Sequence, residues 1–325
     1  MVPTTQTRAA LLAQLRCDRR DADPCDVTLS TSVPRRERQH RRALREITVL
    51  RYRGEPLYVA KVPLGDDDGR VAAEYGKLRA LGKASLCRPL RRAGQGYVMS
   101  YVPAADVPDL FLGLSADSQL GLCLSVVNEV VRLARHDPDR IIWGDDDPLE
   151  VLRSCGVDPE RFAGTRTLAA ARRALVGPAH GDLAAWNVRF DPLTGRVAFV
   201  DWEDYCQVGL PALDVVNFLA TLAVLLYPDA QTWDELFADC FERPGTYREL
   251  VRSSIRHWTA LTGSGGRDTL ELLPAYCAAM VHRVTREGRS ADHLFFTTFG
   301  RLFPSARLAW MDELDDHITK EGDEP

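Results

Sequence analysis

The sequence predicts an α+β chain in two parts: a small N-terminal β-sheet part with one main helix, then a larger, mostly helical C-terminal part. Three observations predict it. Up to Pro103 the hydrophobic pattern runs strand, strand, helix, strand, and beyond Pro103 it turns mostly helical. At 325 residues the chain is long for one compact core and suits two. The charge is also split: residues 1–103 carry 20 Lys and Arg against 11 Asp and Glu, a balance of +9, while residues 104–325 carry 21 against 35, a balance of −14.

The elements follow in order. Gln6 to Arg20 reads as a short amphipathic helix within an N-terminal extension, residues 1–24. The β-rich part, residues 25–103, opens with a brief β run, Val27-Thr28-Leu29, and a very basic stretch, Ser30 to Arg42. Glu46 to Tyr52 and Leu57 to Pro63 read as two strands joined by the turn Arg53-Gly54-Glu55-Pro56. Val71 to Leu81 is a helix with Val71, Tyr75, Leu78 and Leu81 near helical spacing, and Gly96 to Val102 is a strand stopped by Pro103. In residues 104–325, helices are expected near 118–135, 161–175, 213–226, 231–241, 246–261, 269–285 and 308–318.

Composition narrows the function classes. The chain is 45% hydrophobic and 27% charged, as globular proteins are. The N-terminus has no continuous apolar core of a signal peptide, and the longest apolar run, Leu213 to Tyr227, is interrupted by Asp214 and Asn217 and is too short to span a bilayer. The eight cysteines form no CxxC pair, so reduced thiols are expected in a cytoplasmic protein with no membrane partner. Arg35, Arg36, Arg38, Arg41 and Arg42 lack interleaved aromatics, which argues against nucleic acid. A basic first part suits a polyphosphate, and an acidic second part suits magnesium and a cationic substrate.

Function is concentrated in the run His180-Gly181-Asp182-Leu183-Ala184-Ala185-Trp186-Asn187, followed by Asp201-Trp202-Glu203. Val188-Arg189-Phe190 and Arg196 to Val200 read as a hairpin around a turn-rich connection, so Asn187 and Asp201 are expected near its open end, with Asp182 in the loop entering it. Mg2+ takes oxygen ligands and keeps several waters, so Asn187 and Asp201 fit as its ligands together with substrate phosphates. Asp182 then fits the carboxylate that orients an attacking hydroxyl and accepts its proton.

The motif His180-Gly181-Asp182-Leu183-x-x-x-Asn187 with Asp201-Trp202-Glu203 resembles the aminoglycoside phosphotransferase and choline kinase family. That resemblance implies the two-lobed protein-kinase-like fold, Asp182 as catalytic base, Asn187 and Asp201 on magnesium, and His180 bracing the loop. It extends to Lys61 in Val59-Ala60-Lys61, which would hold the α and β phosphates, and to Glu74, which would orient it. Met99-Ser100-Tyr101-Val102 fits the hinge whose backbone binds adenine, and Asp214 matches an aspartate supporting the catalytic loop. The glycine-rich loop of protein kinases is missing; Ser30, Thr31, Ser32 and the residues after them stand in its place, with hydroxyls, backbone N–H groups and arginines for phosphate. Trp186 immediately before Asn187 resembles small-molecule kinases of sugar, polysaccharide and antibiotic gene clusters.

Together these imply an O-phosphotransferase that uses ATP or GTP with Mg2+ on a hydroxyl of a small molecule: an aminoglycoside or other antibiotic, a sugar or an amino alcohol. A protein kinase is the first alternative, disfavoured by the absent glycine-rich loop and the short span between Asp201 and Asp214. A non-catalytic nucleotide-binding regulator of the same fold is the second, disfavoured by Asp182, Asn187, Asp201 and Lys61 all being present. Asp66 to Asp68 and Asp145 to Asp147 read as solvated loops, and Trp186, Trp202 and Trp258 as packing residues.

Overall fold

The computed structural model describes residues 3–32, 44–64, 69–82, 85–135, 146–286, 288, 290–292, 294–306 and 308–315. Val33, Pro34, the arginines between 35 and 42, Asp66 to Asp68, Asp145 and His293 lie outside the described residues. The chain forms two units: residues 1–104 with 198–205, and residues 105–197 with 206–325.

The first unit is built on an antiparallel five-stranded sheet. Its strands are β1 (Val27–Ser32), β2 (Leu44–Tyr52), β3 (Glu55–Leu64), β4 (Pro89–Ala93) and β5 (Gly96–Ser100), in the order β1-β2-β3-β5-β4. The turn between β2 and β3 puts Arg53 and Gly54 at φ 53° and 85°, the paired left-handed conformation that a two-residue hairpin turn requires. β1 runs to Ser32, so Ser30, Thr31 and Ser32 lie in a strand paired with Val49, Thr48 and Ile47, beyond the brief run expected from sequence. The expected strand to Val102 ends at Ser100.

β3 is the central strand, and Tyr58 to Pro63 is continuously buried because both faces are covered. Tyr58, Ala60 and Val62 point to one face, where they pack in a cluster with Leu11 and Leu15 of α1 (Thr5–Asp18), Leu50, Tyr52, Ala93 and Val98. Each fully buried leucine contributes about 1.5–3 kcal/mol, so α1 is an integral layer of this unit. Period-2 alternation then sends Lys61 to the opposite face. There α2 (Arg70–Leu81) presents Val71, Glu74, Leu78 and Leu81 as its buried stripe. Gly82, at φ 54°, ends α2 in a conformation that costs a Cβ-bearing residue energy.

The second unit holds β6 (Ala105–Asp106), α3 (Val107–Leu110), α4 (Ala116–Ala134), α5 (Pro148–Ser154), α6 (Arg166–Arg172), β7 (Gly177–Ala179), β8 (Val188–Asp191) and β9 (Arg196–Phe199). β10 (Cys206–Gly209), α7 (Pro211–Leu226), α8 (Trp233–Phe237), α9 (Thr246–Thr262), α10 (Gly266–Glu271), α11 (Leu273–Arg286) and α12 (Phe295–Leu302) complete it. β8 and β9 are the arms of the expected hairpin, and the last two residues of β9, Ala198 and Phe199, already belong to the 198–205 segment of the first unit. β7 pairs antiparallel with β10, which leads into α7.

Several helices are shorter than their sequence patterns, each for a local reason. The run expected at 161–175 is a 3-10 turn, Pro159–Phe162, then α6, with Gly164 at φ 73° between them. The run at 269–285 divides at Leu272; Pro274 sits in the first turn of α11, where its missing N–H costs nothing. The run at 231–241 is α8 passing into a π turn, Ala238–Glu242, and the last run is a 3-10 segment, Ala309–Leu314. α12 was not expected. Its Phe295 and Phe299 join Phe237, Phe241 and Phe303 in an aromatic cluster with centroids 5.0–5.6 Å apart, edge-to-face except for the tilted Phe237–Phe241 pair. A Cβ on Gly300 would stand 3.0 Å from Cys277 Cβ, so glycine there lets α12 sit close on α11. Among the described residues no helix is long and apolar enough to cross a membrane.

Candidate active site

In the first unit the sheet, α2 and the 198–205 segment bring four ionised groups together. Lys61 Nζ lies 2.7 Å from Glu74 Oε2, 2.7 Å from Asp201 Oδ1 and 2.7 Å from Glu203 Oε1. The first two contacts are hydrogen bonds and the third is an ion-pair contact. Glu74 Oε1 accepts the Trp202 N–H at 2.9 Å, tying α2 to the turn after Asp201. Glu203 Oε2 accepts from Arg45 at 2.8 Å, and its carbonyl accepts from Lys77.

The electrostatics of this cluster are set by burial. Burial by itself lowers the affinity of Lys61 for its proton, but Asp201, Glu74 and Glu203 outweigh it and hold the ammonium pKa raised. Burial raises the Glu74 pKa; Lys61 opposes it, and Asp201 and Glu203 reinforce it. Glu74, Asp201 and Glu203 could group round a cation, their ligand atoms lying within 4.8 Å of one another, but Lys61 already supplies the charge at their centre. Of the three, Asp201 has the open side chain, 25% accessible against 2% and 4%. It also sits at φ 64°, a left-handed conformation uncommon for a residue with a Cβ and typical of functional positions.

The adenine-hinge candidates lie at the end of β5. Met99 pairs with Val59 and Ser100 with Tyr58, and the Tyr101 N–H donates to Leu57 O at 2.8 Å. Ser100 Oγ closes the β4 side, donating to Leu86 O and accepting the Arg88 N–H. Val102 is buried, and its carbonyl accepts the Ala104 N–H.

In the second unit the loop after β7 is pinned from below by α7. Asp214 is in the first turn of α7, and its carboxylate accepts the N–H of His180 at 2.6 Å and of Gly181 at 2.9 Å. Burial pushes the Asp214 pKa up to about 7, against the lowering effect of those N–H groups and with a further rise from Asp182. Gly181 turns at φ 81°, which glycine adopts without strain. His180 is fully buried, and its Nδ1 accepts the Asp182 N–H at 3.4 Å, a bracing contact. The Asn187 Nδ2 donates to Asp182 O at 2.8 Å, which leaves Oδ1 as the atom its amide can offer a cation. Ala185 N–H donates to Thr221 Oγ1 of α7 at 2.8 Å, fixing the middle of the loop.

Three charged partners were not read from the sequence. Arg283 of α11 donates to Asp182 Oδ2 at 3.0 Å. Glu203 and Arg45 join the Lys61 cluster. Glu203 was visible in the motif, two residues after Asp201, and a buried acid there needs a cation; nothing local in the sequence marks Arg45 or Arg283. Trp186 corrects an expectation. It is 50% exposed in a loop whose other residues from Leu183 to Val188 are buried, so it does not pack in the core as Trp202 and Trp258 do.

The APH family model, described as the phosphotransferase enzyme family, matches residues 33–250, which is most of the chain and spans both clusters. The chain belongs to this family. Among solved structures the phosphotransferase is similar to the ethanolamine kinase of Plasmodium vivax, at 13% identity and a TM-score of 0.54 over 96% of this chain and 92% of that one. It is similar to the choline kinase of Cryptosporidium parvum, at 10% identity and a TM-score of 0.52 over 97% of each chain. A Ralstonia eutropha JMP134 protein provisionally described as an aminoglycoside phosphotransferase matches at 17% identity and a TM-score of 0.52, over 94% and 98%. At these identities the likeness shows a shared protein-kinase-like α+β fold. No curated protein matches the sequence.

Proposed function

We propose that this phosphotransferase transfers the γ-phosphoryl group of ATP, or GTP, to a hydroxyl of a small molecule, with Mg2+, in the cytoplasm where the nucleotide is available. The observation that carries the reading is the loop from His180 to Asn187. Its backbone is clamped by Asp214 and Thr221, and its two polar ends, Asp182 and Asn187, are locked to each other by a 2.8 Å bond. Rigid presentation of a carboxylate and an amide oxygen is what phosphoryl transfer needs, since its catalysis is mostly positioning and electrostatics.

In this proposal Lys61, steadied by Glu74, binds the α and β phosphates, and the strand end from Met99 to Val102 receives the base. Ser30, Thr31 and Ser32 offer hydroxyls and backbone N–H groups to the phosphates. Asp201 and Asn187 would hold Mg2+, which would neutralise charge on the phosphates. Asp182 orients the acceptor hydroxyl. The hydroxyl oxygen forms a bond to the γ-phosphorus, the bond from that phosphorus to the β–γ bridging oxygen breaks, the proton passes to Asp182, and the nucleoside diphosphate leaves. His180 and Asp214 act on the loop and not on the substrate. The acceptor classes in view are antibiotics, sugars and amino alcohols.

The test is product mass after incubation with Mg2+ and ATP or GTP across a panel of these hydroxyl compounds. Gain of one phosphate on one acceptor, lost in Asp182→Ala, supports the proposal. Failure of the purified protein to bind the magnesium–nucleotide complex overturns it.

A further inference from the structure

Asp201 stands at φ 64° and ψ 65°, in the left-handed region. A residue with a Cβ keeps that conformation only where its surroundings fix it. In the first unit they fix it from both sides. Before Asp201, the Phe199 carbonyl accepts the Trp202 indole N–H at 3.0 Å, a bond that bridges the residue, and the Cys87 thiol at 3.3 Å. After it, the Trp202 backbone N–H donates to Glu74 Oε1 at 2.9 Å. Glu203 is then gripped through two different atoms. Its carboxylate Oε2 accepts from Arg45 Nη2 of β2 at 2.8 Å, and its backbone carbonyl accepts from Lys77 Nζ of α2.

The roles of Lys61 and Glu74 do not account for Arg45 and Lys77. Arg45 is 5% exposed and Glu203 7%. Desolvation offsets most of the attraction within such a buried pair, so net stability alone is a weak reason for it. The guanidinium is charged at every working pH, so the tie holds throughout. Lys77 lies three residues after Glu74, on the same side of α2. One helix face therefore holds both the N–H of Trp202 and the carbonyl of Glu203, while β2 holds the Glu203 side chain. Between these ties the Asp201 carboxylate meets Lys61 Nζ with 25% of its side chain accessible.

We propose that Arg45 and Lys77 are positioning residues for the metal: acting through Glu203, they hold Asp201 in the left-handed conformation from which its carboxylate meets the cation. This rests on the kinase reading, in which Asp201 is a Mg2+ ligand, and deepens it. Arg45 and Lys77 touch neither metal nor nucleotide. With either tie cut, Asp201 relaxes toward the right-handed or extended backbone that a Cβ favours, and its carboxylate leaves the metal position. Metal binding weakens while nucleotide binding does not.

Mn2+ is the probe. Free Mn2+ is counted by EPR in the presence of ADP, corrected for the Mn2+ that ADP alone holds, and metal-free ADP binding is measured by calorimetry in EDTA. The proteins are wild type, Arg45→Met, Arg45→Lys, Lys77→Met, and Arg45→Met combined with Lys77→Met. Each Met variant should weaken Mn2+ binding about 10–100-fold, the usual loss when a group supporting a metal ligand is removed. Metal-free ADP binding should stay within about twofold of wild type, Arg45→Lys should recover part of the loss, and the combined variant should lose less than the product of the two single losses, because both ties serve one conformation. Lys77 is half-buried and grips a backbone carbonyl, so Lys77→Met carries the test where Arg45→Met fails to fold, and it leaves the Glu203 carboxylate paired. Purely structural residues would lower the melting temperature and leave the Mn2+ affinity of the folded protein unmoved. Mn2+ affinity within about twofold of wild type in the folded variants, or an equal loss of metal-free ADP binding, overturns the proposal while the kinase reading stands. Absence of Mn2+ binding by the wild-type ADP complex overturns the kinase reading and the proposal with it.

Discussion

Lys61→Met should destabilise the first unit by an amount that grows with pH. Lys61 is the cation shared by Glu74, Asp201 and Glu203, each at 2.7 Å. Glu74 and Glu203 are almost fully enclosed, so removing the ammonium strands two buried carboxylates, with Arg45 left on Glu203 and no cation left on Glu74 among the contacts described. Breaking a buried pair in this way costs about 3–5 kcal/mol. The pH sign follows from Glu74. Its pKa is already raised by burial, with Lys61 as the opposing influence, so losing Lys61 lifts it further. A carboxyl whose folded pKa exceeds its unfolded value binds more protons when folded. Its contribution is fully present below the unfolded pKa and is lost as pH rises through the folded one. Urea unfolding at several pH values, from acidic to mildly alkaline, measures this directly. The deficit of Lys61→Met should be smallest at acid pH and largest above neutrality, and Glu74→Gln in the same background should recover part of it. A deficit under about 1 kcal/mol, or one that shrinks as pH rises, would refute the reasoning, since neither fits a stranded buried carboxylate.

Other outcomes follow from the proposed reaction and from burial. Asp182→Asn should lower kcat about 10²–10⁴-fold, the usual contribution of a positioned base, with nucleotide KM little changed in steady-state assays. Under the proposed reaction, Asp201→Asn and Asn187→Ala should each raise the Mg2+ concentration for half-maximal turnover at least about tenfold, since each removes one of the two proposed protein ligands. Asp214, with its pKa raised from 3.8 to about 7, should make wild-type stability fall as pH rises across that interval, and Asp214→Asn should flatten the fall in thermal unfolding. Trp186→Ala should change stability by no more than about 0.5 kcal/mol because the ring is half exposed; a larger loss would mean that the ring packs.

What was legible in the sequence was local or periodic. Strands β2 and β3 were readable because Arg53-Gly54 can take the left-handed turn and both flanks are rich in β-branched and aromatic residues. Glu74 could be matched to Lys61 because α2 follows β3 directly, so a thirteen-residue separation joins one strand to one helix face. The loop from His180 to Asn187 was readable because its bonds are short in sequence, as with Asn187 reaching back five residues to Asp182. α12 was hidden because Thr297, Thr298 and Gly300 weaken its propensity, and its three phenylalanines are stable as a helix only against the aromatic cluster.

Arg283 marks where sequence reasoning stops. It lies 101 residues from Asp182, on a helix whose pattern predicts only that a positively charged residue stands among apolar ones. Net charge could not place it either: the −14 balance of the second part sums charges without saying where any of them stands. Charge acts locally, however, because exposed groups more than about 8–10 Å apart are screened while partly buried neighbours are not. The guanidinium 3.0 Å from Asp182 is therefore the charge that this carboxylate meets first, whatever the balance of the second part.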